Sequence, residues 1–419
     1  MNLVPETHDR KKRPFSLPAS HLRVDGEVRW SLPLSQALSV PGLPENIAVS
    51  DRPLVERSLG PHLFHSYAGR THPLLVRRLC EDLRPGQTLL DPFIGSGTVA
   101  IEGVRKGLRV VGCDVSPLAV RLSLVKSTPL PVPMQKALLM AAQKVCEASW
   151  ARVKKKLSPP HNYDRAEHYA PHVYLELCGL RHEIGQIVSS DAPIGEWLLM
   201  IFSAIVLKCS NQRSETSERI VDRQIGKGQV TKWFLKKTEE VIRLEEAFWT
   251  PDIKTQKPNL FVGDARTDLL QKEKTKISPN TVDRVITSPP YLGTYDYLQH
   301  HARRYAWLGI DPSPIERNEM AARRQTKSLS KRLREHEADT WNWLSACEKW
   351  LASGGHMLIL VGDSVVEETL CDGADPICRA AESTKLRVVA SASVERPHAV
   401  STSVTLPPRR EHLLVLERT

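Results

Sequence analysis

The stretch Thr88-Leu-Leu-Asp-Pro-Phe-Ile-Gly-Ser-Gly-Thr98 constrains the fold more than any other part of this 419-residue chain. A short apolar run ends in an acid, a proline follows, two glycines let the backbone turn sharply, and a helical pattern resumes from Val99 to Lys106. The order is strand, glycine loop, helix. After Gly107 the pattern repeats: the apolar run Leu108–Cys113 ends in Asp114, and Ser116-Pro117 opens another helix running to about Lys126. Two successive β-α units with ligand-type residues at the strand C-termini predict an α/β chain built on a doubly wound, mostly parallel sheet.

Residues 1–50, rich in proline, serine and charge, read as an extended N-terminal arm, and 51–128 as the first part of the α/β core. Within the latter, Pro73–Asp82 carries apolar and basic residues at helical spacing until Pro85-Gly86 stops it. From Pro129 to Trp249 strand signals give way to helix-like segments at Lys136–Leu157, Tyr174–Val188, Glu196–Cys209 and Val230–Phe248, so 129–255 is a predicted helical insertion. The α/β pattern resumes over 256–419, with strands at Asn259–Asp264, Val282–Ser288, His356–Val361, Leu386–Val394 and His412–Leu416 and a helix around Trp341–Leu351. The last two strands are suited to a closing antiparallel pair.

With 41% apolar residues the chain can bury a sizeable core, and a net charge of +10 suits a polyanionic partner. The longest near-continuous apolar run, Trp197–Leu207, is shorter than the roughly 20 residues a membrane helix needs, so no span is expected. Residues 1–14 lack the apolar stretch of a secretory signal, and the eight cysteines are scattered with no Cys-x-x-Cys pair. These features predict a cytosolic protein with reduced thiols and neither a disulfide framework nor a bound metal.

In the glycine loop, Gly95 and Gly97 let the backbone approach a ligand closely, and amides at the start of the following helix can receive a carboxylate. Asp114 stands nineteen residues beyond Gly95 at the next strand's end, where it can accept from a ribose diol. The sequence has neither Gly-x-Gly-x-x-Gly at this loop nor a nucleoside-triphosphate loop, which points to a nucleoside with a short zwitterionic tail. S-adenosylmethionine fits: its amino-acid end near Asp91 and the loop, its ribose on Asp114. Asp264, closing the next strand, is placed either to receive the adenine amine or to act as an ordinary turn residue.

A second constellation is Ser288-Pro289-Pro290-Tyr291. The consecutive prolines remove two donors and fix an extended turn with free carbonyls, and the tyrosine adds a flat face. Such a loop can hold a planar base rotated out of a duplex, with Tyr291 stacking on it and the Ser288 hydroxyl and Pro289 carbonyl taking its exocyclic amine. The amine's lone pair then faces a sulfonium methyl, and orientation replaces a covalent nucleophile.

These two motifs together resemble the DNA amino-methyltransferases, which methylate cytosine at N4 or adenine at N6. The resemblance covers about residues 64–128 and 259–419 and includes Phe64-His-Ser-Tyr-Ala-Gly-Arg-Thr-His-Pro73, which looks like the family's segment before the glycine loop. It implies a Rossmann-like class I methyltransferase core, with S-adenosylmethionine held by Asp91, Pro92, Phe93, Gly95, Ser96, Gly97, Thr98, Asp114 and Asp264. It implies that Ser288, Pro289, Pro290 and Tyr291 present the target amine. A serine at the first position of the proline loop is typical of the cytosine-N4 enzymes. The glycine loop comes first here, whereas many enzymes of this type have the reverse order. Methylation at carbon 5 is disfavoured, because it needs a nucleophilic thiolate and no cysteine follows a proline.

Double-stranded DNA is the expected partner, together with a restriction endonuclease acting on the same site, in the bacterial cytosol or at the nucleoid. Residues 303–334 carry nine Lys/Arg against three acids, and Arg303, Arg304, Arg323 and Arg324 are candidate phosphate contacts. A solvated helix face explains the same charges. Ser210–Arg219 in the insertion, including Arg213, reads either as a recognition element or as a polar loop. His300-His301 is set aside as an acid–base or metal pair, because adjacent helical residues do not face one site. Trp341, Trp343 and Trp350 read as core or interface aromatics. The competing functions are an adenine-N6 enzyme, an RNA methyltransferase acting on guanine N2 of transfer RNA, and a non-catalytic nucleic-acid-binding protein of the same fold.

Overall fold

The computed structural model describes residues 21–24, 57–159, 161–213, 219–250, 255–322, 328–395 and 409–419. Ten strands occur among them: β1 (His21–Val24), β2 (Thr88–Asp91), β3 (Arg109–Asp114), β4 (Asn259–Val262), β5 (Val282–Thr287), β6 (Leu351–Gly362), the hairpin β7 (Ser364–Val366) and β8 (Thr369–Cys371), β9 (Leu386–Glu395) and β10 (Arg410–Arg418). Eight of them form one sheet in the order β1-β9-β10-β6-β5-β2-β3-β4. Strands β2 to β6 run parallel, and β10 inserts antiparallel between β6 and β9, forming the expected closing pair. Of the expected arm, only β1 lies within the described residues, paired to β9 at the sheet edge.

The helices of the α/β core follow the sequence signals closely. They are α1 (Pro73–Leu79), α2 (Thr98–Arg105) and α3 (Pro117–Ser127), and the Ser116 hydroxyl caps α3 by accepting from Ala119 N. Strand β2 is buried along its whole length, as a central parallel strand must be.

The insertion is helical as expected: α4 (Val132–Lys154), α5 (Pro171–Ser190), α6 (Ala192–Cys209) and α7 (Gln229–Phe248). Helix α6 has 18 residues, a mean hydropathy of 1.6 and 67% burial inside the protein. By length and composition it is apolar enough to cross a bilayer. This corrects the sequence estimate, which stopped at the run from Trp197. Its apolar character serves the interior, because it carries much of a core shared with Leu118 and Leu122 of α3 and with Tyr305, Trp307 and Leu308 further along the chain. The insertion and the α/β core are therefore packed around common side chains.

The remaining helices are α8 (Lys272–Thr275), α9 (Tyr297–Leu308), α10 (Ser313–Asn318), α11 (Leu329–Trp350) and α12 (Asp375–Glu382). Helix α11 starts well before the expected Trp341. Trp343 and Trp350 are core residues, whereas Trp341 is 46% exposed.

Candidate active site

Both ligand loops leave the sheet at the carboxyl edge beside the β2/β5 junction, where the strand order reverses. Thr287 Oγ1 donates to Asp91 Oδ1 at 2.7 Å, and Phe93 N donates to the same oxygen at 3.0 Å. Asp91 is 2% exposed. Burial pushes its carboxyl up to about 7, against the pull of these two donors.

The glycine loop is fixed from both sides. In front, Gly95 N donates to Asp114 Oδ2 at 3.0 Å and Ser116 N to Oδ1 at 2.9 Å. Burial pushes Asp114 up to about 6 even so. Behind, the loop carbonyls are bound by α3: Ser123 Oγ donates to Gly95 O and Lys126 Nζ to Ser96 O, both at 2.8 Å. Lys126 is fully buried, which drives its ammonium well below the usual range. Neither role was visible in the sequence, where Ser123 and Lys126 are unremarked members of a helical run. Gly97 caps α2 with φ 86°, and a Cβ there would stand 2.8 Å from Ser123 Cα.

A cleft lies over this loop. Asp91, Pro92, Phe93, Gly95, Ser96, Thr98, Asp114 and Asp264 line it. Gly97 lies behind the loop and does not line the cleft. Asp264 sits at the expected place, but its carboxylate accepts from Arg266 N and Nε, each at 2.9 Å, and Arg266 Nη1 continues to Asp339 Oδ1 at 2.6 Å. A lining acid the sequence did not single out is Glu319, which follows α10 and accepts from Tyr297 N at 2.7 Å.

The donor set suits the expected cofactor. Asp91, Asp114 and Glu319 line the cleft beside Asp264, whose carboxylate Arg266 already pairs, and such a lining suits a ligand that carries a sulfonium or ammonium. The Ser96 hydroxyl is buried without a protein partner, leaving a polar atom for a ligand. S-adenosylmethionine would supply an electrophilic methyl group here.

A second cleft adjoins the first. Ser288, Thr98, Tyr297 and the segment Gly69–Thr71 line both, while Pro289, Tyr291, Tyr295 and Glu411 line only the second; Pro290 faces the first. The structure thus brings the proline loop against the glycine loop. It gives Tyr291 a task other than free stacking: the ring packs on Gly362, where an added Cβ would stand 2.8 Å from Cε2, and Oη donates to Glu411. Tyr295 and Tyr297, with ring centroids 5.5 Å apart, supply a further aromatic wall.

The DNA contacts expected from sequence are redistributed. Arg304 is 2% exposed and donates to Ser203 O and Ser66 Oγ, so it ties α9 to the insertion and does not offer its charge to solvent. Arg303 reaches Asp164 Oδ2 at 3.1 Å and also bonds Gln212, both from the insertion. Burial of the α9 face that carries His301, Arg304 and Leu308 explains the correction. Arg213 is exposed beside a bridge between Gln212 and Ile220, while Arg323 and Arg324 lie outside the described residues. Among the described residues, Asp363, Asp372 and His412 converge closely enough for a cation. Asp363 already accepts from Gly373 N at 3.1 Å and Arg410 N at 2.9 Å, bonds that tie loops together.

The sheet is Rossmann-like, parallel and closed by an antiparallel strand, with an acid-lined cleft at its switch point. Proteins similar to this chain in sequence are named Type II methyltransferases. Type II methyltransferase M.BsoBI of Geobacillus stearothermophilus is 26% identical over 290 residues, 62% of this chain and 56% of its own length. M.MvaI of Kocuria varians is 26% identical over 266 residues, covering 59% and 58%, and M.MjaII of Methanocaldococcus jannaschii is 24% identical over 342, covering 61% and 63%. The chain thus spans less than two thirds of the length of these relatives. Among solved structures, TrmN from Thermus thermophilus matches at 14% identity with a TM-score of 0.32 over 87% of this chain and 53% of its own. The rRNA methyltransferase aviRa from Streptomyces viridochromogenes matches at 13% with 0.33, over 86% and 91%. No family model matches the chain.

Proposed function

We propose that this chain transfers a methyl group from S-adenosylmethionine to the exocyclic amine of a base rotated out of double-stranded DNA, with cytosine N4 as the target. The observation that carries the reading is the position of Ser288, which lines both the acidic cleft and the aromatic cleft beside it. A hydroxyl at that junction can hold an amine in line with a methyl donor on its other side. The +10 net charge suits the DNA backbone, and exposed Arg213 is a candidate contact. The Type II name of the relatives supports a restriction endonuclease of the same recognition site as partner, in a bacterial cytosol.

The test incubates purified protein with labelled cofactor and duplex DNA of varied sequence, then identifies the modified nucleoside by mass spectrometry. N4-methylcytosine is expected, and Ser288→Ala is expected to lower labelling about 100-fold. N6-methyladenine would overturn the base assignment; label only on structured RNA, or none at all, would overturn the proposal.

A further inference from the structure

The second cleft ends on a carboxylate that the two ligand loops do not account for. Glu411 is the second residue of β10, pairs across the sheet with Gly362 of β6, and lines that cleft. Tyr291 Oη donates to Glu411 Oε1 at 3.0 Å and accepts from Ser288 Oγ at 3.4 Å. Three oxygens therefore lie in a row from the junction of the clefts to the start of β10, and both hydrogen bonds point toward the carboxylate. The row is held in place on both flanks. Glycine at 362 leaves room for the Tyr291 ring, and Asp363 N donates to Arg410 O at 2.8 Å while Arg410 N donates back to Asp363 Oδ2 at 2.9 Å.

We propose that Ser288, Tyr291 and Glu411 form a proton relay that carries away the proton released when the amine in the second cleft is methylated. The relay rests on the function proposed above. An amine whose lone pair has bonded the methyl carbon holds one proton more than the neutral product. That N–H bond breaks as Ser288 Oγ takes the proton, the Ser288 proton passes to Tyr291 Oη, and the Tyr291 proton passes to Glu411 Oε1. The carboxylate becomes a carboxylic acid and, being partly exposed, returns the proton to solvent. One positive charge enters the clefts with the donor and one leaves as a proton. Glu411 does not touch the amine; it is a positioning residue that acts through Tyr291.

The experiment compares wild type with Glu411→Gln, Glu411→Asp, Tyr291→Phe and the double variant Tyr291→Phe/Glu411→Gln on one duplex. Glu411→Gln and Tyr291→Phe are each expected to lower kcat about 100-fold, with KM for DNA and calorimetric cofactor affinity within about twofold of wild type. The double variant should be no slower than either single one, and Glu411→Asp should recover part of the rate. In cofactor-free protein, Tyr291→Phe should shift an isotope-edited glutamate carboxylate stretch, reporting the hydrogen bond without turnover. Wild-type kcat in Glu411→Gln, or fully additive losses, would overturn the relay while leaving the methyltransferase reading intact. A wild-type protein that labels no DNA would remove both.

Discussion

The Thr287 hydroxyl donates to the Asp91 carboxylate over 2.7 Å, so the last residue of β5 grips the last residue of β2. The glycine loop begins one residue after Asp91 and the proline loop one residue after Thr287. This buried hydrogen bond continues the β2/β5 pairing to the starts of two loops that lie almost two hundred positions apart in the chain.

Burial at this junction is expected to make cofactor binding sensitive to pH. Asp91 and Asp114 are pushed up to about 7 and about 6 by burial. Each native carboxyl keeps its proton where the unfolded chain has released it, so the stability they contribute is full at low pH and is lost as pH rises through 6 to 7. A cationic ligand favours the ionised forms. Calorimetry should show cofactor affinity rising about tenfold between pH 5.5 and 7.5 with proton release on binding. Thr287→Val withdraws a donor from the ionised form, so its affinity midpoint should move to higher pH. An affinity flat across this range would contradict the assignment.

Gly97→Ala tests the rear of the loop. Its φ of 86° and the Ser123 backbone 2.8 Å from an added Cβ act together. The expected loss is about 3 kcal/mol, seen as a lower Tm, with cofactor affinity reduced as the loop shifts. Gly86 has φ 87° but nothing within 4 Å of its Cβ. Gly86→Ala should lose only about 1 kcal/mol and leave cofactor affinity unchanged.

The arginines separate packing from DNA contact. Arg304→Met should lower thermal stability by about 3 kcal/mol, because Ser203 O and Ser66 Oγ lose their donor. The slope of log affinity for DNA against log salt should stay at its wild-type value. Arg213→Ala should leave Tm unchanged and reduce that slope by about 1. The opposite pattern would return Arg304 to the DNA surface.

The parts of the site legible in the sequence were those encoded locally. A strand ending in Asp91, two glycines and a helix start are contiguous, so their order alone marks one β-loop-α unit of a doubly wound sheet. Asp114 and the Ser288–Tyr291 turn were legible for the same reason. What escaped depends on where side chains point. Arg266 stands two positions after Asp264, yet nothing in that spacing says that it will take the carboxylate for itself. The basic run from Arg303 reads as surface by charge, whereas Tyr305, Trp307 and Leu308 interleaved with it mark a helix buried on one side. Glu319 and Glu411 reach the clefts from distant elements and carry no local motif.

The insertion shares its apolar interior with α3 and α9, which come from either side of it in the chain. It cannot be lifted out or exchanged as a cassette, since removal would leave Leu118, Leu122 and Trp307 bare in water. Chimeras spliced at its ends with a relative's block should aggregate unless α3 and α9 travel with it.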